Sequence, residues 1–97
     1  MSYVLSPRAQ ADIDEIWEYS ADRWDIDQAN RYISEIRRAI EVVASDPRRG
    51  RPCNEIRRGY RRFSAGSHVL FFRIVADQID VARVLHQSMD FRRHLRL

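Results

Sequence analysis

Lysine is missing from the 97 residues, so all 17 basic positions are arginine. Arginine's planar fork suits bidentate pairing with carboxylates or phosphates, although a codon bias toward arginine would leave the same composition. Cysteine is nearly missing too. Cys53 stands alone, which excludes an internal disulfide, agrees with a reducing compartment and leaves the thiol as a small filler beside a loop. No hydrophobic run approaches a membrane span, and the opening stretch MSYVLSPRAQ lacks the apolar core of a secretory signal. The expectation is therefore a cytoplasmic chain with no membrane partner. Gly50, Gly59 and Gly66 are isolated, so no phosphate-cradling or dinucleotide loop is present and each glycine serves a turn. His68, His86 and His94 show no metal-ligand spacing, and no metal or cofactor is expected.

What is present fits one small domain spanning residues 1–97, with 44% apolar and 32% charged residues. The charge is polarised along the chain. Met1 to Asp46 hold five arginines and ten acids, a net −5, whereas Pro47 to Leu97 hold twelve arginines and four acids, a net +8. The second half should attract an acidic partner.

The dominant pattern lies between Gly59 and Asp90. Runs of β-branched and aromatic residues at Val69 to Val75 and Ile79 to Leu85 flank Ala76, Asp77 and Gln78, which predicts a tight hairpin. Tyr60 to Phe63 supplies a third strand. Leu70, Phe72 and Ile74 mark one face, and Val69, Phe71 and Val75 share the other with Arg73, so the sheet needs cover on both sides. One helical layer is available, and the second face must meet the chain's own tail or another molecule. Upstream, Tyr3 to Leu5 forms a short strand and Ser6-Pro7 an N-cap followed by proline at the first helical position. A helix follows with Ala9, Ile13, Ile16, Trp17 and Trp24 on its stripe. Asp25 or Asp27 caps a second helix, carrying Ala29, Tyr32, Ile33, Ile36, Ala39, Ile40 and Val43, that ends at Asp46-Pro47. Trp17 and Trp24 are expected in the core. The predicted fold is α+β: a helical hairpin packed on a small antiparallel sheet, in the order β-α-α-β-β-β, with a short C-terminal helical tail through Phe91 and Leu95.

Catalytic chemistry is weakly represented. RNA cleavage would need a general base, a general acid and cations, and Glu55, His68, Arg73, Arg83 and His86 are the residues available for it. His68 and His86 lie within strands, where a structural histidine is the commoner outcome. Arg73 and Arg83 sit in apolar runs and are expected to pair with buried acids or the tail. Arg57, Arg58, Arg61 and Arg62 surround Tyr60 and Phe63, an arginine-aromatic pattern seen in nucleic-acid binders, but a solvated strand edge explains it more simply. Direct nucleic-acid binding is not the expectation.

The combination of GYRRFSAGSHVLFFRI and RVLHQSMD, preceded by SPRAQADIDEIWEYS and a helical hairpin ending in DPRRGRP, resembles the ParE family of bacterial toxins within the RelE/ParE superfamily. The resemblance runs from Tyr3 to about Leu95. It implies a toxin without catalytic residues, held in a hetero-oligomer by a ParD-type antitoxin and, when freed, inhibiting DNA gyrase and so replication. Tyr19, Tyr32, Arg61, Arg62, Arg92 and Arg93 are then candidate antitoxin contacts, and Met89, Phe91, Arg92, Arg93 and Leu95 candidate target contacts on a tail dispensable to the core. The superfamily's other branch, resembling ribosome-dependent mRNA endonucleases, is the alternative. Its catalytic arginine falls in a segment that here reads Gln87-Ser88-Met89, and methionine cannot stabilise a phosphate charge.

Overall fold

A computed structural model describes residues 1–95. The chain begins with strand β1 (Ser2–Leu5), followed by helices α1 (Pro7–Arg23) and α2 (Ile26–Ser45). A single 3-10 turn at Pro47–Arg49 leads into β2 (Arg51–Pro52), β3 (Arg61–Ala65), β4 (His68–Val75), β5 (Gln78–His86) and the one-turn helix α3 (Phe91–His94). The strands form one five-stranded sheet in the order β1-β5-β4-β3-β2. The expected order of helices and strands holds. Two features depart from it: β1 lies parallel to β5, and the two-residue β2 extends the far edge. Neither is visible locally, because both depend on which distant backbone supplies partners.

Local chemistry accounts for the helix ends. Ser6 Oγ accepts from Ala9 N–H at 3.0 Å, with Pro7 next to it. Asp25 Oδ1 accepts from Gln28 N–H at 2.7 Å, which selects Asp25 over Asp27 as the cap of α2. The two helices pack on one face of the sheet. Ile36, Ile40 and Val43 of α2 and Ala9 of α1 meet Leu70, Phe72, Ile79, Val81 and Val84. Gly50 can lie against this core because it has no side chain; a Cβ there would collide with the Phe72 ring.

The other face is covered by the chain itself. Val69, Phe71 and Leu85 form a second cluster with Cys53, Tyr60 and Leu95, flanked by Ile56, Ala82 and Phe91. Phe91 stacks on Phe71 at 4.9 Å between centroids. Leu95 is only 3% exposed, so the tail is a lid on the core and the expectation of a dispensable tail is corrected. Arginines hold it down. Arg57 Nη1 donates to Leu95 C=O at 2.6 Å, Arg83 Nη1 to His94 C=O at 3.1 Å, and the Arg62 guanidinium lies 5.1 Å over the Phe91 ring.

Two expected core positions lie outside it. Trp24 ends α1 and is 57% exposed, because the helix turns into Asp25 before its last stripe position reaches the sheet. Trp17 is half-buried, its Nε1–H donating to Asn30 Oδ1 at 2.8 Å. Ile74 and Val75 are exposed as well, since the β4–β5 hairpin runs past the helical layer.

A register shift between Phe71 and Phe72 in the β4–β5 pairing redirects the sheet at the site that matters most. Phe71 lies opposite Arg83 and Phe72 opposite Val81, leaving Ala82 as the extra residue. Past this bulge β1 no longer covers the edge of β5, and α1 takes over. Ser6 Oγ donates to Ala82 C=O at 2.8 Å, and Asp12 Oδ2 accepts from Val84 N–H at 2.9 Å. The same carboxylate receives Arg83 through Nε at 2.8 Å and Nη2 at 2.9 Å. Arg83 is thus paired with a buried acid and with the tail, as its place in an apolar run suggested.

Candidate partner-binding groove

Where the end of α1, the α1–α2 turn and the C-terminal end of β5 diverge, they leave an open groove of about 840 Å³. One wall is α1, with Glu15, Glu18, Tyr19 and Asp22; Trp24 lines the groove from the α1–α2 turn, and Met89 and His94 come from the segment after β5. Tyr19 is 61% and Met89 44% exposed, so with Trp24 the rim presents three large side chains for which the described residues supply no cover.

The floor is polar and ordered. His68 and His86 are direct cross-strand partners on β4 and β5, their rings 5.2 Å apart and edge-to-face. Tyr32 reaches over from α2, its hydroxyl 2.5 Å from His68 Nδ1 while it accepts from Ser67 N–H at 3.0 Å. This approach requires Gly66: its φ of +60° serves the tight β3–β4 turn, and a Cβ there would sit 2.7 Å from Tyr32 Cε1. Burial, then the neighbouring His86, pushes the His68 imidazole down to about 4, so it is neutral near pH 7. Burial also raises the Tyr32 phenol. At the back of the groove the Asp12 hydrogen bond holds the Arg83 guanidinium firmly protonated.

The residues singled out from sequence separate into three groups. Tyr19, Tyr32 and Met89 come together in the groove, joined by His68 and His86. Arg92 and Arg93 are exposed on α3. Arg61, Arg62, Phe91 and Leu95 serve the fold. Arg61 Nη1 donates to Gly50 C=O at 2.7 Å, Arg62 stacks on Phe91, and Leu95 is inside the second cluster and inaccessible to a partner in this conformation. The residues proposed for RNA cleavage do not converge as a set. Glu55 and Arg73 are exposed, and the Arg73 guanidinium lies over Tyr60, a member of the second cluster on the other face of the sheet. The Arg83 guanidinium is taken by Asp12 and the tail. Cys53 is fully buried, and burial pushes its thiol up, which removes reactivity.

Sequence reasoning missed Trp24 as a groove residue and Ser88 as the support of a groove histidine. Trp24 falls on the helical stripe, which by pattern points it inward, while Ser88 carries no signal except its distance of two positions from His86. It anchors that ring, with Ser88 N–H and hydroxyl 3.1 and 2.7 Å from Nδ1.

Comparison with known proteins settles the relationship. A family model described as ParE toxin of the type II toxin-antitoxin system parDE matches residues 3–91. The chain belongs to the ParE family of toxins. Curated relatives named Toxin ParE1 agree. One from Mycobacterium tuberculosis is 55% identical over 94 residues, and one from Caulobacter vibrioides is 50% identical over 93, each alignment covering 96% of both chains. The ParE fold recurs in a solved structure described as "Chromosomal ParDE TA system from P. aeruginosa", with a TM-score of 0.79 over 89% of this chain and 95% of that one. Sequence identity there is 20%, so that likeness concerns the fold. The matched ParE region includes α1, α2, all of the sheet except Ser2, and both groove histidines. Among the described residues of this ParE toxin, no helix is long and apolar enough to cross a membrane.

Proposed function

We propose that this ParE toxin is a cytoplasmic, non-enzymatic protein that acts by binding two proteins in turn. A ParD-type antitoxin neutralises it in a hetero-oligomer, and the freed toxin inhibits DNA gyrase and stops replication. The observation that carries this reading is the groove rim. Tyr19, Trp24 and Met89 are large, exposed and grouped around one cleft, and aromatic and methionine side chains are enriched where proteins meet. An amphipathic antitoxin segment lying in such a cleft would cover them, with Tyr32 on its inner side. The solved P. aeruginosa protein of the same fold is described as part of a ParDE system, which supports an antitoxin as the natural occupant. Arg92 and Arg93 lie exposed on α3, a few residues after Met89, and are assigned to the target or to acids of the antitoxin. Arg61, Arg62 and Leu95 are left out of both surfaces because their side chains are committed internally.

The dispersal of Glu55 and Arg73 away from the histidines supports a binding role over RNA cleavage. The experiment is induced expression with and without the antitoxin, with gyrase supercoiling and mRNA integrity read in parallel. Loss of supercoiling, relieved by Arg92→Ala/Arg93→Ala and by the antitoxin, is the expected result. Translation-dependent mRNA cuts with normal supercoiling would overturn it.

A further inference from the structure

Contacts at Nδ1 favour the Nε2–H tautomer for both groove histidines. Ser88 N–H stands 3.1 Å from His86 Nδ1, and a backbone N–H only donates, so Nδ1 is the acceptor and the ring proton is on Nε2. The Tyr32 hydroxyl accepts from Ser67 N–H and stands 2.5 Å from His68 Nδ1; with the hydroxyl proton directed to that nitrogen, the His68 ring proton is on Nε2 as well. Neither Nε2 has a hydrogen-bond partner among the described residues, and no buried side-chain nitrogen there is left unsatisfied. Both Nε2–H groups therefore reach solvent, and the open space that both rings line is the groove. Two neighbouring N–H donors without an acceptor are suited to an oxygen.

The surrounding charge narrows the choice of oxygen. Glu15, Glu18 and Asp22 stand along the α1 wall, and a phosphate chain, with a negative charge at every link, would be repelled along its length. A peptide with a single carboxylate meets that repulsion once only, and Arg23 on the same wall, with basic residues in the peptide, offsets it. We propose that the groove recognises a protein segment carrying one acidic side chain, whose carboxylate accepts the Nε2–H bonds of His68 and His86 while apolar neighbours cover Tyr19, Trp24 and Met89. This deepens the reading of the groove as the antitoxin-docking surface and rests on it for the identity of the segment, though not for the chemistry of the site.

Sodium acetate is the first probe, titrated at constant pH into the wild-type chain with nitrogen-15 imidazole resonances as the readout. Saturable shifts at both Nε2 positions, absent with sodium chloride at equal ionic strength, are expected. No saturable shift, or tighter binding of inorganic phosphate than of acetate, would overturn the carboxylate site. The second arm measures binding of the purified cognate antitoxin. His86→Leu should weaken it about ten- to a hundredfold, because a charged acceptor loses its donor, and His86→Gln, which keeps an N–H donor, should recover most of the loss. Near-ultraviolet circular dichroism of Trp17 and Trp24 checks that each variant is folded. Acetate binding combined with antitoxin affinity indifferent to His86→Leu would overturn the docked carboxylate. A wild-type chain that binds no antitoxin would sink the neutralisation reading instead, and the acetate titration would still decide the site.

Discussion

Replacing Asp12 with alanine should be among the most damaging single changes in this protein. The carboxylate is one acceptor for three N–H groups: Arg83 Nε and Nη2 at 2.8 and 2.9 Å, and Val84 N–H at 2.9 Å. Without it the Arg83 charge keeps only the His94 carbonyl, and the Val84 amide loses its partner where β1 no longer borders β5. Breaking a buried pair by deleting one member costs about 3–5 kcal/mol. The side chains here retain 11% and 15% exposure, which favours the lower end of that range, about 3 kcal/mol, and the orphaned amide adds up to about 1 kcal/mol. A loss of about 3–4 kcal/mol is expected, a large part of the roughly 5–15 kcal/mol that a small domain has in total. With a urea slope of about 1–1.5 kcal/mol/M, the unfolding midpoint should fall by roughly 2–4 M. Arg83→Met keeps the apolar stem and leaves Asp12 on Val84 N–H. The double variant should therefore be less destabilised than the sum of the singles by more than about 1 kcal/mol. An Asp12→Ala loss below about 1 kcal/mol, with no coupling in the cycle, is what an exposed pair gives and would refute the argument.

Leu95→Ala should cost about 2–4 kcal/mol in urea unfolding, whereas Trp24→Ala should stay within about 0.5 kcal/mol and weaken antitoxin binding; equal stability losses would contradict the assignment of the tail to the core and Trp24 to the groove. Gly66→Ala should cost roughly 1–3 kcal/mol through the left-handed backbone and displace Tyr32, seen as a changed His68 Nδ1 resonance; an unmoved resonance would show that the approach tolerates a methyl. His68 is held at about 4 in the fold, against the ordinary 6.5 of an unfolded chain. The unfolded chain therefore takes up a proton below about 6.5 and the folded one only near 4, so stability is full above this window and falls as pH drops through it. The whole shift corresponds to about 3 kcal/mol, which solvent screening at a partly exposed ring reduces to about 1–2 kcal/mol. His68→Gln should remove that part of the pH dependence, and identical pH profiles for the two proteins would contradict it.

The helices and three central strands were legible because their causes are local. Ser6-Pro7 and Asp25 supply caps, Asp46-Pro47 a stop, and the spacing of Ile36, Ile40 and Val43 a helical face. The need for cover on a sheet apolar on both sides was legible as well, and the tail provides it through Phe91 and Leu95. Trp24 was misplaced because a stripe states which way a side chain points along an ideal helix, not where the sheet ends. Arg61 and Arg62 looked like surface charge because their partners, the Gly50 carbonyl and the Phe91 ring, are far away in sequence.

By itself, then, the sequence determined the two long helices and the three central strands, the family motifs and the division of charge between the two halves. Only the tertiary structure decided the groove: it took the bulge at Ala82 to bring Arg83 and Val84 to Asp12, the strand register to pair His68 with His86, and a bare Gly66 to admit Tyr32. Each of those contacts joins residues distant along the chain. Their energies depend on distance and burial after folding, and neither quantity is written in a local pattern of residue types.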